Sequence, residues 1–258
     1  MPTPLPRTPL PGPADPLTWL LELRGVPEAL TGAREAVDRL LAHRVLRRQS
    51  VAVSIESALR GARASAALAG SDVALADLRA GLTGNPTVQG ALRVTGGLGP
   101  LVAVWERAPL QALARLHVLA AAGSVPEDKL GRPTGSPAVA SRLASLARLL
   151  AGGSQAPGVL LAAVAHGEIA TLAPFGGADD VVARAAERLT LITRGVDPKA
   201  VSVPEVGHRE QVEDYRSALA GYATGSADGV AGWLRHCAVA VELGAREGLA
   251  ICEAILRG

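Results

Sequence analysis

The sequence predicts an all-α protein, a bundle of eight or more helices, and three observations carry that reading. Apolar residues recur at helical spacing in segment after segment, as in Leu110, Leu113, Leu116 and Leu119. No alternation of apolar and polar residues runs longer than a few positions, so no strand is expected. Hydrophobic residues make up 48% of the 258 residues but aromatics only 2%, so the core must be built from Ala, Leu and Val. Ala and Leu are strong helix formers.

Residues 1–16 are dominated by proline and predict a flexible, extended arm. Residues 17–258 are assigned to a single helical domain. A first helix is expected at Pro16 with Asp15 as its cap, and a second from a Thr31 cap through Val37, Leu40, Leu41 and Val45. Its end carries His43, Arg44, Arg47 and Arg48, which read as a solvated basic turn more readily than as a DNA-reading helix. An Ala-rich helix spans 50–70 and closes at Gly70; Ser71 or Asp72 then caps a short helix through Leu75 and Leu78. Residues 81–100 are rich in glycine, without the strand–turn–helix context of a dinucleotide fingerprint. A helix starts at Pro109, a loop covers 121–137, and helical period returns through Leu143, Leu146, Leu149 and Leu150. Further helices are expected over 157–172, 180–194, 210–224 and 226–256.

The formal net charge of +2 is too balanced to point to nucleic acid or an anionic membrane as partner. The N-terminus lacks the apolar run of a signal peptide, and no apolar stretch reaches the roughly 20 residues of a membrane helix. A cytoplasmic location is expected, with Cys237 and Cys252 as small buried hydrophobes.

The segment from His166 to Gly195 reads as helix, tight turn, helix. A turn that feeds a helix N-terminus offers unpaired backbone N–H groups and is a ready anion site. No Lys followed by Ser or Thr closes this turn, so it is not a P-loop. Asp179 and Asp180 stand where a phosphate would lie, and two carboxylates at a helix start favour capping over anion binding.

The turn resembles the signature of Fic (Fido) proteins, His-Pro-Phe-x-(Asp/Glu)-Gly-Asn-Gly-Arg-x-x-Arg. The stretch from Ala173 to Arg184 aligns with it without a gap and keeps Pro174, Phe175 (the only Phe) and Arg184. Upstream, Ser65 to Gly70 resembles the family's Ser-x-x-Ile-Glu-Gly helix end, with Ala69 in place of the inhibitory Glu. Gly131-Arg132-Pro133 resembles the approach to its target-binding flap, and the helices carrying Tyr215 and Trp233 resemble its C-terminal part. The resemblance is strongest over residues 50–250. It implies ATP or another nucleotide as ligand, a protein as target, and Arg184, Gly176, Gly177 and Asp179 as the nucleotide-binding positions that remain.

The departures bear on activity. The family's catalytic His is Ala173, whose methyl group accepts no proton. The metal-holding acid is Gly177, the Gly-Asn-Gly cradle is Ala178-Asp179-Asp180, and the first motif Arg is Val181. No catalytic residue or metal ligand is therefore assigned. His166 is a conceivable displaced base with Glu168 near it, though a packing role suits it better. His117, His208 and His236 are scattered, without zinc-ligand spacing. Arg184 and Arg188 share a helix face, and Arg184 is expected to hold a phosphate or to pair with Glu187 or another acid. The resulting expectation is a Fic-like pseudoenzyme, a protein-binding or nucleotide-sensing module, with a homodimer left open. The alternative is a nucleotidyl- or phospho-group transferase with a rebuilt site.

Overall fold

The structure, a computed structural model, describes residues 15–257. Most of the proline-rich arm, residues 1–14, lies outside the described residues. Twelve α-helices follow one another among them: α1 (Val26–Leu41), α2 (Ser50–Leu68), α3 (Leu75–Arg79), α4 (Pro86–Gly96), α5 (Leu98–Arg107), α6 (Pro109–Ala121), α7 (Pro137–Arg148), α8 (Gly158–Leu172), α9 (Asp179–Thr193), α10 (Pro204–Glu210), α11 (Val212–Ala223) and α12 (Ala227–Arg257). No strand occurs among the described residues, in keeping with the all-α expectation.

Helix α8 is the axis of the bundle. It is apolar on every face, with Val159 through Gly167 all buried, which is the pattern of a helix surrounded by protein. Helix α9 lies against it in the most extensive helix pairing of the molecule. On one side the long α12 packs along α1, α10, α11 and α8; on the other, α2, α4, α5 and α6 close the bundle over α9. The few aromatic residues are used as anchors. Trp105 donates its indole N–H to Thr190 Oγ1 at 3.1 Å, and Trp233 donates to the Ala163 carbonyl at 2.8 Å. Each satisfies its one polar atom while burying a large apolar ring.

Small residues allow the helices to approach closely. A Cβ added to Gly90 in α4 would lie 2.0 Å from the carbonyl oxygen of Ala120 in α6. Backbone cannot yield as a side chain can, so Gly90→Ala is expected to destabilise the protein by about 2 kcal/mol. Urea unfolding measures this, and an unchanged midpoint would show that the two helices have room to part.

Several local expectations are corrected. Thr31 does not start a helix: α1 begins at Val26, after a left-handed Gly25 and with Pro27 in its first turn, and the Thr31 hydroxyl bonds back to the Pro27 carbonyl. Asp15 does bind the Leu17 N–H at 2.9 Å, but the helix there is a 3₁₀ turn, Thr18–Glu22. Neither Ser71 nor Asp72 caps α3, whose cap position is Ala74. The glycine-rich stretch 81–100 contains α4 and the start of α5, with Asn85 capping α4 through its side chain. Helix α10 was not foreseen. No helix among the described residues is long and apolar enough to cross a membrane.

Candidate functional site

The turn between α8 and α9 is built from backbone outwards. Ala173 ends α8 in the left-handed region, at φ 41°, and Ala178 opens α9 in the same region, at φ 57°. Between them the chain folds back through Gly176 at φ 73°. The carboxylate of Asp179 reaches into this loop. One oxygen accepts the Phe175 N–H and the other accepts the Gly177 N–H, both at 2.9 Å. Asp179 is buried, and that burial pushes its carboxyl pKa up against the pull of the loop N–H groups. Asp179 thus fills the hollow of the loop, while Ala178 holds the cap position.

A histidine that sequence spacing gave no reason to choose completes the loop. His117 on α6 stacks on Phe175, with ring centroids 4.3 Å apart and planes 5° from parallel. Its Nδ1 accepts the Gly131 N–H at 2.9 Å, so its Nε2 carries the proton and donates to the Gly177 carbonyl at 3.1 Å. Thr134 donates its backbone N–H to the Pro174 carbonyl at 2.8 Å. Segment 131–134 is therefore fastened to the loop directly at Thr134 and, through His117, at Gly131.

Arg184 is buried, and each of its guanidinium nitrogens is engaged. Nε donates to Ser65 Oγ and Nη2 to the Ser65 carbonyl, both at 2.9 Å; Nη2 also meets Asp180 at 3.0 Å, and Nη1 lies 3.4 Å from the Tyr215 hydroxyl. Asp180 and Arg184 form an i,i+4 pair on α9. Glu187 is not its partner. The space left beside Arg184, lined by Ser65, Thr95 and Val181 among others, is about 10 Å³, the room of one small probe sphere. Arg188 pairs with buried Glu205 instead.

Glu187 belongs to a buried histidine cluster that the sequence reading overlooked. His166 of α8 donates from Nδ1 to Glu187 Oε2 at 2.7 Å, and His208 of α10 reaches the same oxygen from Nε2 at 2.9 Å. The Nε2 of His166 meets the Tyr215 hydroxyl, and the Nδ1 of His208 meets His236 Nε2, each at 3.0 Å. His166 and His208 are fully buried. Burial lowers the His166 pKa to about 4 and that of His236 to about 3, so both rings are neutral near pH 7. Of the three histidines read as scattered, His208 and His236 are thus neighbours, joined by His166 where α8, α10 and α12 come together beside Glu187, while His117 stands apart at the loop. Glu168, expected near His166, points away and binds Arg142 and Tyr222.

Elsewhere, an apolar groove of about 370 Å³ is lined by Leu17, Trp19, Leu146 and Tyr222 among others. Trp19 is half exposed there.

Comparison of the whole architecture with solved structures gives a match. The crystal structure of a Fic family protein from Desulfovibrio desulfuricans G20 superposes with a TM-score of 0.72, covering 88% of this chain and 74% of that one, at 20% sequence identity. The chain has a Fic-like fold. No family model matches the sequence, and no curated protein does. In this Fic-like frame the α8–α9 turn is the segment that aligned with the family signature, and Ser65, from the aligned upstream helix end, is the residue that grips Arg184.

Proposed function

We propose that this chain is a Fic-like pseudoenzyme: a cytoplasmic protein that binds a protein partner and transfers no nucleotide. The observation that carries the reading is the position of Asp179, whose carboxylate takes the two loop N–H groups that an incoming phosphate would use. A bound anion would have to expel it and meet its charge. Ala173 offers no proton acceptor, and Arg184 has its nitrogens committed inside the bundle. Of the positions expected to hold a nucleotide, Gly176 is exposed but donates its N–H to the Ala173 carbonyl, and the N–H of Gly177 is taken by Asp179. A transferase with a rebuilt site would need a base within reach of substrate. His166 is fully buried, with Tyr215 and Glu187 on its two nitrogens, and His117 beside the loop is buried with both nitrogens engaged. The groove beside half-exposed Trp19 supports partner binding as the alternative use of the molecule.

Titration with ATP and magnesium is expected to leave the melting temperature within about 1 °C of its starting value, since only a ligand of the native state raises stability. Incubation with labelled ATP and a lysate is expected to label nothing. Ala173→His is expected to stay inactive too, because a restored base contributes only about 10²–10⁴-fold and the phosphate cradle remains filled. Saturable stabilisation by ATP together with label transfer would overturn the reading.

A further inference from the structure

We propose that His166, Glu187 and His208 form a binding site for a divalent transition-metal ion, with zinc as its first candidate. The site is separate from the α8–α9 turn and does not depend on how that turn is used. His166 Nδ1, His208 Nε2 and a Glu187 carboxylate oxygen lie within 4.8 Å of one another, and all three residues are buried. Two imidazoles and one carboxylate are a donor set that suits zinc and its first-row neighbours.

Two further observations point to a ligand. Glu187 Oε1 is buried and has no hydrogen-bond partner, although a lone buried carboxylate oxygen is costly. A metal held by both oxygens of Glu187 would employ it and bring the donor count to four. In addition, each histidine is held at its remote nitrogen: His166 Nε2 by the Tyr215 hydroxyl and His208 Nδ1 by His236. Metal-ligating histidines are commonly oriented in this way, by a partner on the nitrogen that does not face the metal.

Binding requires the two imidazoles to draw back from Glu187 and to face one ion. At bonds of about 2.0–2.1 Å and a tetrahedral angle, neighbouring donors stand about 3.3 Å apart. The present separations from Glu187 Oε2 are 2.7 and 2.9 Å, so each imidazole needs to withdraw by roughly half an ångström. Protons balance without release. Each ring exchanges one neutral tautomer for the other, the His166 proton moving from Nδ1 to Nε2 and the His208 proton from Nε2 to Nδ1. Their new acceptors are the Tyr215 oxygen, whose own hydroxyl hydrogen turns aside, and His236 Nε2, whose proton moves to Nδ1 as that ring changes tautomer in turn. The ion would tie α8, α9 and α10 together, with α11 and α12 supplying the supporting groups.

The test uses the full chain without a histidine tag, stripped with a chelator and titrated with zinc and, separately, with cobalt(II). The expected result is one zinc per chain, a raised melting temperature, and a cobalt spectrum of four- or five-coordinate nitrogen and oxygen ligation. His236→Ala is expected to weaken binding about 10–100-fold, by loss of a supporting group. His43→Ala, at the surface pair with Glu253, is expected to leave it unchanged. Absence of a stoichiometric site, or a purely six-coordinate cobalt spectrum, would overturn the proposal. So would zinc binding that survives Glu187→Gln in a folded protein. If Glu187→Gln does not fold, the wild-type stoichiometry and cobalt spectrum decide alone.

Discussion

Arg184→Ala is expected to lower the stability of the protein by about 3–5 kcal/mol, the range seen when one member of a buried charged pair is removed. Truncation strips Ser65 Oγ and the Ser65 carbonyl of their donor and leaves a void between α2 and α9. The partner charge, on Asp180, is nearly half exposed and can return to water, which places the expectation toward the lower end. Arg184→Met is expected to cost less, because it fills the space without a charge to satisfy. Arg184→Lys should not rescue fully, since a single ammonium cannot make the forked contact to one residue's hydroxyl and carbonyl. Urea denaturation of the three variants checks the order. A loss below about 1 kcal/mol for Arg184→Ala would mean that the arginine is a passenger in its pocket rather than a clamp.

Asp179→Ala is expected to cost about 2–3 kcal/mol. Two backbone N–H groups would lose a charged acceptor, worth about 1.5–3 kcal/mol each, and relief of the desolvated carboxylate returns part of the sum. Asp179→Asn keeps one good acceptor oxygen and is expected to lose about half as much. The variant also has a diagnostic property. With the internal carboxylate gone, inorganic phosphate or sulfate is expected to restore part of the lost stability, and to do nothing for the wild type at the same ionic strength. Equal responses of wild type and variant to phosphate would show that the loop N–H groups do not form an anion site.

The helical framework was legible in the sequence where amphipathic period and stop signals agreed. The end of α2 at Leu68, against an expected close at Gly70, the start of α6 at Pro109, and the α8–α9 pair fall near their expected places. Legibility failed where one residue type serves opposite purposes. The glycine-rich stretch 81–100 offered no helix signal, yet Gly97 sits where a Cβ would lie 2.7 Å from Leu119, so its smallness serves packing at a helix junction. Thr31 reads as a cap but is a mid-helix threonine bonded to the preceding turn. In the site, the lack of a proton acceptor at residue 173 was plain from the alanine there. The self-filling role of Asp179 was not, because a carboxylate at a helix start looks the same whether it caps the helix or reaches backwards. The histidine cluster was invisible for a stronger reason. Positions 166, 208 and 236 share no local spacing, and only the convergence of three helices makes them neighbours.

Ala178 keeps a backbone conformation that glycine adopts freely and alanine resists by about 1 kcal/mol or more. The family signature places a glycine at that position. The turn holds this contour without the residue best suited to it, so the contour is imposed from outside, by the two helices it joins and by the groups fastened to it. In such a turn the form does not hang on the lettering. The whole chain follows the same rule: its shape is shared with a solved Fic family structure where only one residue in five agrees.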